Sequence, residues 1–292
     1  MIVIDDGSDD GSDRLIEQYS ELHPHITLLR NNHSDVNAAR NKGLGVATGQ
    51  FIYFMDSDDF IAPGLFTDFL RELRVCPQLE RYGFSAEIFP DVPVEQRKYT
   101  RSHMCTVQGE FAGGPEMPRN LIANHSAHSV LWSGIISRAL IDRTHSEFLP
   151  VQNHEDAPFM FTLYLQATRV FFTRNSYYFK RYTLNSRSVN TRDFSWVRNY
   201  FIVREGTERT LRAAGQPLDR QLLDSYYFPV MPGCLMMVRK HRMEAPKEYQ
   251  LPFNMLACQM TRNSVKMSLV WYCHPLYNTL MLFKKKLSGF TA

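Results

Sequence analysis

The sequence predicts an α/β fold, a mostly parallel sheet flanked by helices, followed by a helical C-terminal region. Two observations carry this. Within the first sixty residues, apolar runs suited to strands alternate with segments of helical periodicity, an order that implies parallel pairing through right-handed crossovers. Two of those runs also end in carboxylates: Ile2-Val3-Ile4 leads into Asp5-Asp6, and Phe51-Ile52-Tyr53-Phe54-Met55 into Asp56-Ser57-Asp58-Asp59. In an open α/β sheet, the C-terminal ends of strands are where ligands bind.

The elements follow in order. Met1 to Ile4 reads as a strand, and a helix comes next with Leu15, Ile16, Tyr19 and Leu22 on one face. Ile26 to Leu29 is a second strand. Asn37 to Gly45 is a second helix that closes at Thr48-Gly49, before a third strand over Phe51 to Met55 that is apolar enough to be buried on both faces. Pro63 to Arg74 is a helix with Leu65, Phe66, Phe69, Leu70 and Leu73 on one side, and Gly83 to Phe89 has strand character. Pro90 to Pro118 reads as loop-rich, Trp132 to Ile136 returns to the sheet, and Ser137 starts a helix. From Phe194 the pattern is helical, interrupted at Gly215, Pro217, Pro229 and Pro252. The expected division is a catalytic-type domain over 1–190 and a helical region over 191–292.

The acidic clusters carry the chemistry. Asp56 and Asp58, at i and i+2 where a strand ends, can both reach one hard cation through oxygen ligands, and such a cation can hold a diphosphate. The plainer reading is an acidic turn, since Asp and Ser are ordinary turn formers. The first loop also matches an EF-hand in part, with Asp6, Ser8, Asp10, Gly11 and Glu17 at positions 1, 3, 5, 6 and 12. An EF-hand loop lies between two helices, however, whereas this one follows a strand. Asp9, Asp10 and Ser12 suit a helix N-terminus, which leaves Asp5 and Asp6 for ligand contact.

These parts in this order resemble the family 2 glycosyltransferases, nucleotide-sugar-dependent transferases with a GT-A, Rossmann-like fold. The matching segments are Val3-Ile4-Asp5-Asp6-Gly7-Ser8, Ala38-Ala39-Arg40-Asn41-Lys42-Gly43, Ala47-Thr48-Gly49 and Asp56-Ser57-Asp58-Asp59. Further on, His154-Glu155-Asp156-Ala157-Pro158-Phe159 is similar to the family's Glu-Asp motif, and Tyr177-Tyr178-Phe179-Lys180-Arg181 to its tyrosine/arginine segment. The resemblance covers residues 1–190. It implies an inverting transfer from a nucleotide-sugar, a UDP-sugar, to the hydroxyl of a glycan or lipid-linked acceptor in surface-polysaccharide or cell-wall assembly. It implies a divalent metal, Mn²⁺ or Mg²⁺, on Asp56 and Asp58, and Asp156 as general base. Asp5, Asp6, Arg40, Asp56, Glu155 and Arg181 are then expected to bind the substrate or nucleotide, with Lys42 near phosphates and Lys180 and Arg181 closing over the diphosphate. Without the resemblance, Glu155-Asp156 reads as charge complementing a helix N-terminus, and the basic residues as surface ion pairs. Family members carry a further strand and helix ahead of the Asp-Asp-Gly-Ser loop. Here Met1 opens on what would be their second strand, so a gap beside that strand is expected.

Two other functions are compatible with parts of this pattern. A nucleotidyltransferase of the same fold would place a Gly-rich basic loop on its first strand, and a non-catalytic binding or scaffold protein would need none of the transfer residues.

Composition sets the remaining bounds. The 292 residues are 44% hydrophobic and 22% charged with a net charge of +3, which leaves no nucleic-acid footprint. The five cysteines, Cys76, Cys105, Cys234, Cys258 and Cys273, show no metal-ligand spacing and read as thiols of a reducing, cytoplasmic setting. Of the ten histidines, His125 and His128 come closest to a ligand pair and read as loop residues. No signal peptide or run of 18 apolar residues occurs. Met267 to Phe283, followed by Lys284-Lys285-Lys286, offers possible peripheral membrane contact; a packed terminal helix with a solvated end explains it equally.

Overall fold

The computed structural model of the chain describes residues 1–32, 35–90, 103–126, 129–182, 194–227 and 238. It is an α/β structure whose sheet strands are flanked by helices, as the sequence predicts. The elements run β1 (Ile2–Asp5), α1 (Ser12–Leu22), β2 (Thr27–Arg30), α2 (Val36–Val46), β3 (Phe51–Tyr53), β4 (Phe60–Ile61), α3 (Leu65–Val75) and β5 (Arg81–Pro90). They continue through β6 (Gly109–Ala112), α4 (Glu116–Ala123), β7 (Gly134–Ser137), α5 (Arg138–Thr144), α6 (Asp156–Gln166), β8 (Arg169–Tyr182), α7 (Phe194–Ala213) and α8 (Arg220–Tyr227). Thus 90–118, read as loop-rich, includes a strand and the start of a helix. The lysine-ended segment from Met267, three of the cysteines and His128 lie outside the described residues. Cys76 and Cys105 are free thiols.

β1 and β2 pair in parallel with Ile2 opposite Thr27 and Asp5 opposite Arg30. Among the described residues they form a sheet of their own. A six-stranded sheet has the order β3-β7-β5-β8-β4, with β6 also paired to β8. β5 and β8 run parallel, while β7 runs against both β3 and β5. Hence β3, β5 and β8 share one direction, and β7, β4 and β6 oppose it. β3 therefore pairs with β7 and not with β1 or β2. With a partner on one edge only among the described residues, β3 is half-buried, not enclosed on both faces as its apolar run suggests. Phe54 and Met55 leave the strand altogether.

Helix α2 joins the two sheets. Its Gly43 lies against β1 so closely that a Cβ there would come within 2.8 Å of the Ile4 Cδ1. The side chain of Asp35 caps the helix by accepting from the amides of Asn37 and Ala38. At the other end, the Lys42 ammonium donates to the Arg30 carbonyl and Asn31 Oδ1 at the end of β2.

The core lies between α3 and the central strands, where Leu65 and Phe69 meet Tyr82, Phe84, Ile135 and Tyr177. Phe66 and Leu70, expected on the same buried face of α3, are 49% and 48% exposed, so the apolar stripe is wider than the contact it makes. The apolar face of α1 stays outside as well, since none of its residues is buried. Helix α6 is the opposite case. Ala157 to Tyr164 are all buried, so this stretch of the helix is enclosed on every side. It is walled in by α4, α5 and the segment before it.

The chain divides into two compact units, Met1–Val189 with Ile202–Tyr226, and Asn190–Phe201 with Tyr227–Ala292. In the first, Arg204 pairs with Glu208 and Asp224. In the second, Tyr200 packs edge-on against Tyr227 at 5.8 Å.

One polar contact fixes the short strand β4. Asp59, 5% exposed, accepts hydrogen bonds from the Tyr178 hydroxyl and, at 2.7 Å, from the Arg181 amide. This ties the acidic turn to β8 beside the pairing of Phe60 with Phe179. Tyr178→Phe leaves a buried carboxylate short of a donor and is expected to lower stability by about 1–3 kcal/mol. Chemical denaturation of the two proteins measures this; a difference below about 0.5 kcal/mol would show that the hydroxyl contributes nothing.

Candidate active site

The site is built on one face of α2. Asn37, Arg40 and Asn41 stand at i, i+3 and i+4, so they project together. Asn41 forms a reciprocal pair with Phe148: its Nδ2 donates to the Phe148 carbonyl and its Oδ1 accepts from the Phe148 amide, both at 2.9 Å. Asn37, 1% exposed, donates to the Val151 carbonyl. These bonds pin the segment that leads into α6. His154 then adopts a left-handed conformation with φ of 65°, and the chain turns so that Glu155 and Asp156 open the helix.

Three aromatic rings form the floor. Phe148 stacks on Phe159 of α6, with centroids 4.5 Å apart and planes at 11°. Phe54, just past β3, meets both edge-on at 5.6 and 6.0 Å. Such pairs add about 0.5–1.5 kcal/mol beyond area burial, and here they hold three separate segments in register. The loop after β3 is thereby fixed against the N-terminus of α6.

Above this floor sits an ionic cluster. The Arg40 guanidinium lies 5.5 Å over the Phe148 ring. Its Nη1 donates to Asp156 Oδ1 at 2.9 Å and to Glu155 Oε1 at 3.3 Å. Its Nη2 faces Asp56 Oδ1 at 3.9 Å. On the other side of Asp56, Lys180 Nζ is 3.8 Å from Oδ2, and the same ammonium lies 5.3 Å over Trp132. Three carboxylates thus face two cations. Burial pushes the Asp156 carboxyl up to about 7; Arg40 pulls it down, Glu155 and Asp56 push it up, and the Leu131 amide favours the ionised form. Its side chain keeps 19% of its surface exposed, enough for proton exchange with a reactant. Burial likewise raises Asp59, against the hydrogen bonds of Tyr178 and Arg181.

The structure brings together Arg40, Asp56, Glu155 and Asp156, with Lys180 attached through Asp56. Asp58 lies two residues further along the same turn and is exposed. Asp5 behaves differently. At 7% exposure it accepts from the amides of Gly7 and Ser8, and hydrogen bonding to Ser8 holds its carboxyl below the usual range. It shapes the loop after β1, in which Gly7 takes φ of 87° and Asp6 is half-buried. Arg181 packs its guanidinium 5.0 Å over Phe60 at the edge of the acidic turn. Lys42, expected near phosphates, is engaged at the end of β2, and Arg40 is engaged by carboxylates. Asn37 and Asn41 were not foreseen; their spacing from Arg40 on a weakly amphipathic helix was the available signal. The EF-hand reading fails on its surroundings, because the loop joins a strand to a helix and Asp10 caps it by accepting from the Ser12 amide.

A divalent cation can be tested against these residues. Among the described residues, no three side chains of His, Cys, Asp or Glu converge on one metal position. Asp56 and Asp58 are hard oxygen donors on a reachable turn, and a cation of the Mg²⁺ type is commonly held by one or two carboxylates plus substrate phosphates. The donor set fits such an ion when the remaining oxygens come from a diphosphate and water.

Known proteins resemble this chain in sequence and fold. The profile of Glycosyl transferase family 2 matches residues 1–121. The uncharacterized glycosyltransferase YibD of Escherichia coli is 25% identical over 197 residues, covering 65% of this chain and 54% of YibD. Cholesterol galactosyltransferase of Borreliella burgdorferi is 26% identical over 207 residues, with 65% and 54% covered. This chain therefore spans about half the length of the curated relatives it matches. Among solved structures, Staphylococcus aureus TarS 1–349 in complex with UDP-GlcNAc superposes with a TM-score of 0.62 at 17% identity, over 92% of this chain and 74% of that one. That similarity establishes the GT-A-like fold. The profile match takes in both acidic strand ends, so residues 1–121 are similar to the family 2 glycosyltransferases.

Proposed function

We propose that the chain carries out metal-dependent, inverting glycosyl transfer from a UDP-sugar to the hydroxyl of a glycan or lipid-linked acceptor, in surface-polysaccharide or cell-wall assembly on the cytoplasmic side. The observation that carries the reading is the cluster itself. A carboxyl held near neutrality at the start of α6 stands beside an acidic turn at a strand end, in a chain whose residues 1–121 match the family 2 glycosyltransferase profile. UDP-GlcNAc bound to the TarS fold supports the donor class.

Asp156 is the base. As the acceptor oxygen attacks the anomeric carbon, its proton passes to the Asp156 carboxylate and the bond from that carbon to the diphosphate oxygen breaks. A single displacement of this kind inverts the anomeric centre. Asp56 and Asp58 would hold the divalent ion, which supplies neutralisation of the departing diphosphate. Lys180 and Arg181, at the end of β8, are placed to add positive charge on that side. Asp6, next to Asp5 in the loop after β1, is assigned to the nucleotide, and Glu155 orients the acceptor. A non-catalytic binding role would not require a carboxyl poised for proton transfer, and nothing specific favours it.

Calorimetry with UDP and Mn²⁺ tests the donor assignment. The chain is expected to bind UDP only with the metal, and Asp58→Asn to lose that binding by at least tenfold, whereas Asp59→Asn should act mainly on stability. Unchanged UDP affinity in Asp58→Asn would remove the metal assignment.

The base has its own signature. Asp156→Asn is expected to lower turnover by about 10²–10⁴-fold with UDP affinity retained. In the parent protein kcat/KM should rise with pH and level off above about 7, since the base must be ionised. The linkage to stability has the opposite slope. A carboxyl whose folded value lies above its ordinary 3.8 binds more protons folded than unfolded between about pH 4 and 7, so stability falls as pH rises through that window. Melting curves should show Asp156→Asn gaining on the parent protein from pH 4 to 7.5. A pH-independent difference would show that Asp156 titrates normally.

A further inference from the structure

Arg40 is 15% exposed and has its donors committed to side chains from two other segments. One terminal nitrogen serves Asp156 and Glu155, the other faces Asp56, and the guanidinium lies over Phe148. Phe148 is itself held by Asn41, one residue along the same helix, so the ring and the guanidinium move as one body. A planar fork can address carboxylates in two directions at once, which a single ammonium cannot do. A buried carboxylate left without its partner is also strongly disfavoured.

We propose that Arg40 is a positioning residue for glycosyl transfer: it fixes the carboxylate of Asp156 and ties it to the Asp56 turn, and its contribution passes through Asp156, not through a contact with the diphosphate. The inference rests on the assignment of Asp156 as base. The geometry supplies the reason. The acidic turn follows β3 and the base opens α6, and Arg40 from α2 reaches both, so the charge that receives the donor and the charge that receives the proton are set at one fixed separation.

The test uses Arg40→Gln and Arg40→Lys, alone and combined with Asp156→Asn, in the full chain. UDP release is measured from UDP-glucose, UDP-galactose and UDP-N-acetylglucosamine with Mn²⁺, and UDP–Mn²⁺ affinity by calorimetry. Both single variants are expected to lose about 10²-fold in kcat, the scale of a displaced catalytic group, while Kd for UDP–Mn²⁺ changes less than about threefold. Lysine should not rescue, because it reaches only one of the two carboxylate groups. In the Asp156→Asn background, Arg40→Gln should cost less than about threefold further in kcat, since the group it positions is gone. A loss in UDP affinity of tenfold or more with kcat retained would overturn the proposal in favour of a phosphate contact, and additive losses in kcat would overturn it as well. The same four proteins are compared by urea unfolding, which needs no substrate. A coupling between Arg40 and Asp156 of at least fivefold in the unfolding equilibrium constant is expected, and its absence overturns the positioning role. If UDP–Mn²⁺ does not bind the parent protein, the proposed function falls while this coupling still decides whether Arg40 holds Asp156.

Discussion

One guanidinium organises this site. Arg40, on helix α2, connects a strand-end turn with the first turn of a buried helix; the turn brings Asp56 to it, and the helix start brings Glu155 and Asp156. Three carboxylates so close together repel one another and cannot all be desolvated without cations. Arg40 and Lys180 meet that requirement from opposite sides of Asp56. The aromatic floor of Phe54, Phe148 and Phe159 gives the cluster its rigidity, because a charged pair gains most when its side chains are already ordered by packing. Helix α2 matters through this contact, and its packing on β1 through Gly43 carries the first sheet along with it.

The same arrangement sets the proton affinity of Asp156. Burial alone would keep the carboxyl protonated, and a close arginine alone would keep it ionised. Both act on Asp156, with Glu155 and Asp56 adding repulsion, and the balance lies at about 7. The helix that carries it is buried along most of its length, so the carboxyl stands at the end of an enclosed rod. Proton transfer needs a base whose affinity matches the working pH. Here the match comes from placement, since the residue type is an ordinary aspartate.

The two aspartates Asp56 and Asp59, three residues apart, have been given separate tasks by their depth. Asp59 is enclosed and hydrogen-bonded to Tyr178 and the Arg181 amide, so it fastens the turn to β8. Asp56 is 37% exposed and Asp58 is open to solvent, which leaves both able to take a ligand. Tyr178 stacks on Trp132 at 4.5 Å with planes at 6°, so the fastening is continued into the core. Lys180, two residues along β8 and on the same side, reaches Asp56 as a consequence.

The alternation of strands and helices, the acidic strand ends and the Glu-Asp pair could be read from the sequence, because each is a local pattern of period, turn chemistry or charge. From these the α/β class, the direction of the first two strands and the candidates Asp56 and Asp58 followed, while Asp156 was implied by the family resemblance. What the linear pattern could not contain was which side chains meet. The partner of Arg40 lies more than a hundred residues away, and only the docking of α6 against α2 decides that it is a carboxylate and not a phosphate. The exposure of Phe66 and Leu70 and the full enclosure of α6 depend in the same way on what packs beside them. The reversed strand β7 could not be foreseen from an apolar run, since strand direction is set by the path of the chain. Local sequence determined the elements and the titratable groups; tertiary packing decided their pairing and the proton affinity of Asp156, because both depend on burial and on distances between segments remote in the chain.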